Sequence, residues 1–185
     1  SYFHEAINVA PHKAETYNNM GNLLKKCKLL EDAVVFYKKA LDRNPRFAVA
    51  HNNIATVYQE LDDSTAAFSH YVKAIKLDNL YADPIYNLAI FYQLKGYLTL
   101  AESNFRKAIE LVDNFAEAHN NLGNVLAELG HHKSAKEHYL IAIAQDPSLA
   151  EAHRHLSEFI SYDPENLHFK QMLDLERNGG LDHNQ

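Results

Sequence analysis

The sequence predicts an all-α fold, a right-handed superhelix (α-solenoid) of antiparallel helix pairs with a terminal capping helix. Three observations predict it. Written in blocks of 34 residues from Ala14, the chain runs as 14–47, 48–81, 82–115 and 116–149 without gap or insertion, and the same residue classes recur in every block. Within a block, Ala33, Phe36, Tyr37, Ala40 and Leu41 follow the i, i+3, i+4, i+7 spacing that collects one face of a helix. Small and bulky side chains also stand in separate fixed columns, as two helices require in order to approach closely.

The first helix of each block carries a large apolar residue, Met20, Ile54, Leu88 or Leu122, followed by a small one, Gly21, Ala55, Ala89 or Gly123. The second carries the alanine columns Ala33, Ala67, Ala101, Ala135 and Ala40, Ala74, Ala108, Ala142, with Tyr37, Tyr71, Phe105 and Tyr139 between them. Gly96 and Gly130 mark the turn inside a block, and Pro45 and Pro147 the break between blocks. One such pair cannot bury its apolar face alone, so neighbouring pairs must stack. Extended backward, the register puts Phe3, Ala6 and Pro11 on the aromatic, alanine and proline columns, so 1–13 reads as the second helix of a truncated repeat. Extended forward, Leu156 and Ser157 fall on the large and small columns before the pattern breaks. Asp163, Pro164 and Glu165 then read as a helix start, and Leu167, Met172, Leu173 and Leu175 as its apolar face. Residues 150–178 are thus expected to form a partial repeat plus capping helix, and Gly179-Gly180 to open a flexible tail over 179–185.

These columns resemble the tetratricopeptide repeat, as in AEAHNNLGNVLAELGHHKSAKEHYLIAIAQDPSL. The resemblance implies a scaffold whose concave face, lined by the first helices, holds part of another polypeptide. The chain departs from the pattern at the fourth position, where the usual aromatic is Tyr17 once and otherwise His51, Ile85 and His119. Asn79 and Asp113 replace the closing proline in the middle two blocks. The segment AEAHRHLSEFISYDPENLHFKQMLDL further resembles the junction at which bacterial tetratricopeptide repeats run into a sulfotransferase domain. That likeness implies an alternative: the substrate-recruiting N-terminal region of a larger transferase, of sulfotransferase or O-GlcNAc-transferase type.

Composition narrows the function class. With 46% hydrophobic and 23% charged residues the chain is long and apolar enough to fold. A formal charge of −6 opposes nucleic-acid binding, which needs a concentrated positive field. No apolar run approaches a membrane span. Cys27 is the only cysteine and no Asn-x-Ser/Thr acceptor occurs, so a cytoplasmic location is expected. No catalytic constellation, cofactor motif or metal-ligand spacing is found. His131, His132, His138, His153 and His155 lack the pair-plus-carboxylate arrangement of a helical zinc site, and GHHKSAK lacks the glycine before lysine of a phosphate loop.

The candidate site is an asparagine ladder. Asn19, Asn53, Asn87 and Asn121 recur at the repeat spacing, flanked by Asn18, Asn52, Tyr86 and Asn120 and, one turn on, by Asn22 and Asn124. An amide side chain is both donor and acceptor, so a ladder can pair with the backbone of an extended peptide. In the repeat region of O-GlcNAc transferases, which this ladder resembles, asparagines at this position grip substrate peptides. Two readings stand: peptide contact, or satisfaction of neighbouring helices. Specificity is expected from Lys25, Lys26, Thr56, Gln59, Glu60, Ile90, Gln93 and Glu128 and from the helix-start acids Glu15, Asp83, Glu117 and Glu151. That balance predicts a mildly acidic groove and a neutral to basic, extended protein or peptide ligand. End-to-end self-association through the incomplete first repeat is a further expectation.

Overall fold

The computed structural model describes residues 13–159 and 167–177. Among them the chain is helical, with no strand: α1 (Ala14–Lys26), α2 (Leu30–Arg43), α3 (Ala48–Glu60), α4 (Ser64–Leu77), α5 (Ala82–Leu94), α6 (Leu98–Leu111), α7 (Ala116–Glu128), α8 (His132–Gln145), α9 (Ala150–Ser157) and α10 (Leu167–Arg177). The expected half-repeat up to residue 12, the helix start at Asp163, Pro164 and Glu165, and the tail 179–185 lie outside the described residues.

The chain divides into two compact units, Ser1–Phe91 and Tyr92–Gln185, with the boundary inside α5. In the first, α1 packs on α2, α2 on α3 and α3 on α4, and α1 also meets α3. In the second, α6 packs on α7, α7 on α8, and α8 on α9, which also meets α7 and α10. Each unit is therefore a consecutive stack of helix pairs.

The alanine columns are the floor of the core. Ala33, Ala67, Ala101 and Ala135, and Ala40, Ala74, Ala108 and Ala142, are all fully buried, as are the rings of Tyr37 and Phe105. Gly21 and Gly123 are glycines because a ring lies on them. A Cβ on Gly21 would stand 2.6 Å from Tyr37 Cε1, and one on Gly123 2.5 Å from Tyr139 Cε1. Both rings are held across the glycine by their hydroxyls, Tyr37 donating to Asn22 Oδ1 at 2.7 Å and Tyr139 to Asn124 Oδ1 at 2.9 Å. Where Ala55 takes the small column, Thr56 replaces the asparagine, and the Tyr71 hydroxyl donates instead to Gln59 Oε1 at 3.1 Å. Gly-Asn therefore goes with one partner for the ring hydroxyl and Ala-Thr with another.

Every full pair turns in the same way. Lys28, Asp62, Gly96 and Gly130 occupy one column and all have φ between 60° and 81°. The preceding helix closes each time with the paired bonds of a Schellman motif, for example Leu29 N–H to Leu24 O at 2.9 Å and Lys28 N–H to Lys25 O at 2.9 Å. The glycines follow the ordinary preference, while Lys28 and Asp62 hold the left-handed conformation at a cost of roughly 1 kcal/mol each. Between pairs, Asn44, Asp78 and Asp146 accept from Arg46, Leu80 and Ser148 backbone N–H groups at 2.9–3.0 Å. These side-chain turns stop the helix whether or not proline follows.

The departures at the fourth position have a structural role. His51 is buried, and its Nε2 lies 3.2 Å from the Pro45 carbonyl, which can only accept. Its neutral ring therefore presents a bare Nδ1, which takes the Nδ1–H of His70 on α4 at 2.8 Å. His119 and His138 repeat the contact in the second unit at 2.9 Å. His153 Nε2 again lies 3.0 Å from the Pro147 carbonyl. Burial first, then the charge of the partner imidazole and of Lys73 and Lys38 or Arg106, lowers His70 and His138 to about 4, against a smaller opposing effect of Glu102 on His138.

Two predictions follow from this packing. Gly123→Ala forces the Tyr139 ring aside at roughly 1–3 kcal/mol, more than the roughly 1 kcal/mol of helix propensity gained. A double variant with Tyr139→Phe, in which the ring is no longer tethered, should cost less than the sum of the single changes in urea denaturation. The histidine pairs make stability fall with acidification. The folded state keeps His70 and His138 neutral to about pH 4 whereas the unfolded chain protonates them near 6.5. Their contribution is complete above the unfolded value and drains away below it. The melting temperature should drop between about pH 6.5 and 4, and a variant with His70→Asn and His138→Asn, which keeps a donor but cannot titrate, should lose less; equal loss would discount the pairs.

Candidate functional site

The ladder lies on the first helices of the pairs, where α1, α3, α5 and α7 each contribute one rung. Asn19 is exposed, Asn53, Asn87 and Asn121 are half-buried, and Asn22, Asn124 and Tyr86 are half-buried beside them. Asn18, Asn52 and Asn120 are buried. Asn53 Nδ2 donates to Asn18 Oδ1 at 3.0 Å and Asn22 Oδ1 at 3.1 Å. Asn87 Nδ2 donates to Asn52 Oδ1 at 2.9 Å, and Asn52 Nδ2 is 3.5 Å from the Tyr81 hydroxyl. In the second unit His155 stands on the ladder column, and its Nδ1 lies 3.0 Å from Asn120 Oδ1. A rung thus donates to the residue just before the rung of the preceding pair.

This refines the sequence expectation of rungs that offer donor and acceptor alike. Both N–H donors of Asn53 and one of Asn87 are committed inside the protein, joining α3 to α1 and α5 to α3, while no described residue donates to their Oδ1 atoms. Asn18, Asn22, Asn52 and Asn120 are the acceptors of the network and Asn124 anchors Tyr139. What the face offers a ligand is a set of amide acceptors supported from behind.

Beside Asn53 a cleft of about 400 Å³ opens, lined by Asn22, Lys25, Lys26, Lys28, Tyr37, Asn53 and Thr56. Lys25 Nζ donates to Thr56 Oγ1 at 2.7 Å and lies 3.4 Å from Glu60, and Lys28 Nζ lies 3.1 Å from the other Glu60 oxygen. Burial pushes the Glu60 carboxyl up, but the hydrogen bonds and charges of Lys28 and Lys25 outweigh it and hold the group below its ordinary value. Burial, with the Glu60 charge, lifts the Tyr37 hydroxyl to about 12, so it stays a donor. Lys28 and Tyr37 were absent from the sequence-derived set. Lys28 is brought in by its left-handed turn, a conformation its residue type does not signal; Tyr37 had been assigned to packing alone. The helix-start acids Glu15, Asp83, Glu117 and Glu151 are exposed.

The comparisons agree with this architecture. Four family models, each described as a tetratricopeptide repeat, match residues 14–47, 36–68, 82–112 and 116–149. The chain is a tetratricopeptide repeat protein. No curated protein matches it. Among solved structures this tetratricopeptide chain resembles YrrB, described as a TPR protein with an unusual peptide-binding site, at 28% identity and TM-score 0.68, covering 99% of this chain and 94% of that one. It also resembles PilF of Pseudomonas aeruginosa, at 22% identity and TM-score 0.82 over 99% and 80% of the two chains. MamA is similar at 23% identity and TM-score 0.72 over 86% and 95%. The last two show the fold alone.

A stability comparison tests the ladder's internal role. Asn53→Ala removes two hydrogen bonds and leaves the buried Asn18 acceptor unmet, while Asn22 keeps its bond from Tyr37, so it should cost roughly 1–2 kcal/mol, and Asn87→Ala about 1 kcal/mol. Asn19→Ala, at an exposed position, should stay within about 0.5 kcal/mol of the parent. Urea unfolding of the three variants gives the order, and equal values would reject the network as a connection between pairs.

Proposed function

We propose that this tetratricopeptide chain is a non-catalytic protein-interaction scaffold that holds an extended segment of a partner against the ladder face of its first helices. The observation that carries the reading is the pair of Oδ1 atoms on Asn53 and Asn87, half-buried and free of any described donor, each fixed by a bond from its own Nδ2. A preset acceptor loses little freedom when a backbone N–H reaches it, so the ligand gains a hydrogen bond without ordering the protein. The peptide-binding site named for YrrB supports the same use of this fold. Asn19, Asn121 and Tyr86, with their neighbours Asn18, Asn22, Asn52, Asn120 and Asn124, extend the proposed contact along each unit.

The net charge of −6 favours a protein partner over a nucleic acid. Among the described residues no helix is long and apolar enough to cross a membrane. The exposed thiol of Cys27 suits a reducing compartment such as the cytoplasm. The neutral-to-basic ligand fits the second unit, where Glu128 and Glu158 stand beside the ladder column and Arg154 lies 4.0 Å from Glu158.

Selection of a random-peptide library on the whole chain tests the reading. Peptides should be recovered that, when titrated into labelled protein, shift the NMR signals of the Asn53 and Asn87 side-chain amides and of the first helices rather than of α2, α4, α6 and α8. Recovery of no binder, or shifts confined to the second helices, would overturn it.

A further inference from the structure

We propose that the cleft beside Asn53 in the first unit receives an acidic side chain, an aspartate or glutamate, from the bound segment. The inference rests on the scaffold reading and adds the chemistry of one contact.

Three ammonium groups, Lys25, Lys26 and Lys28, reach this cleft against one carboxylate, Glu60, in a chain whose overall charge is negative. Several of the neutral polar atoms around them are already engaged. Tyr37 donates to Asn22, Asn53 donates to Asn22 and Asn18, and the Thr56 hydroxyl donates to the Asn53 carbonyl at 2.8 Å while accepting from Lys25. Besides Asn53 Oδ1 and Asn22 Nδ2, what the cleft leaves for a ligand is cationic. Glu60 draws on Lys25 and Lys28 together, which shows that a carboxylate can sit between these ammonium groups. Lys26 is exposed and has no ion pair among the described residues.

The second unit shows that the positive charge is not a requirement of the fold. It repeats the Gly-Asn-Tyr arrangement through Gly123, Asn124 and Tyr139. Yet the positions equivalent to Lys25, Lys26 and Lys28 hold Ala127, Glu128 and Gly130, and Glu158 stands where Thr56 does. The same packing is therefore built with the opposite rim. Helix-end lysines also favour the C-terminal end of the α1 dipole, but α3 and α7 end in Glu60 and Glu128 and form equally well. Lysine at this place is read as recognition. A ligand's backbone N–H on Asn53 Oδ1 would put the neighbouring side chain at the cleft, where an aspartate or glutamate meets Lys26 and Lys28 without unpaired charge.

The random-peptide selection, run on the whole chain and on a Lys26→Glu variant, decides the matter. Lys26 has no ion pair or side-chain hydrogen bond among the described residues, so the variant should keep the parent's helicity, its melting temperature lowered only slightly by the reversed charge at the end of α1. Peptides recovered on the parent should be enriched in aspartate or glutamate at one position, and the variant should lose that enrichment. A synthetic parent-selected peptide should bind the variant roughly tenfold more weakly at low salt, and the gap between parent and variant should narrow as salt is raised. A second variant, Lys25→Gln with Lys28→Gln, should weaken the same peptide. Binders without acidic enrichment, or enrichment that survives both variants, would overturn the inference and leave the scaffold reading intact. Recovery of no binder on the parent would overturn both.

Discussion

The constraint on which each unit depends is the seating of an aromatic ring from a second helix, α2 or α8, against a glycine of the first. Tyr37 on Gly21 and Tyr139 on Gly123 set how near the helices of a pair can come, since any Cβ there would occupy the ring's volume. The alanine columns on the same second helices let the next first helix approach from the other side, as the burial of Ala40 and Ala142 shows. Because close packing tolerates neither voids nor excess volume, side chains between these contacts are held in defined positions. Everything polar on the first helices inherits that placement.

The ladder illustrates the inheritance. An exposed asparagine would rotate freely, and its hydrogen bond to a ligand would first have to offset that lost freedom. Asn53 is restrained: its Nδ2 is held by Asn18 and Asn22, and Asn22 is itself held by the Tyr37 hydroxyl. The chain of bonds runs from the core ring to the surface acceptor. Structure and recognition are not competing explanations of these asparagines, because the donor half of the amide serves one and the acceptor half is left for the other.

Most of the fold could be read in the residues because its determinants are local and repeated. Small, large and aromatic columns at fixed spacing favour pairing of consecutive helices, and α1 packs on α2, α3 on α4 and α7 on α8. Three features were not legible. The left-handed turns at Lys28 and Asp62 use residues that do not favour them, so only their alignment with Gly96 and Gly130 could have given the signal. The histidine pairs join columns 19 residues apart across two helices, whereas the sequence marks His51 only as a departure from the repeat pattern and His138 only as one of several histidines without a metal-site spacing. The division of labour within each amide depends on which atom points where, which a one-letter code does not carry. The candidate site was thus legible as a set of positions but not as a set of free atoms.

Charge on the rim follows a different rule from packing. A substitution at the small or aromatic column must be matched by its partner, whereas Lys26 and Glu128 occupy equivalent places at the ends of helices that are otherwise alike. Exposed charges contribute little to stability, commonly less than about 1 kcal/mol per pair, so the scaffold tolerates either sign there. Net charge therefore says little about any one contact. A chain can be acidic as a whole and still present three lysines at the cleft beside its second rung, and the chemistry of its partner is set rung by rung.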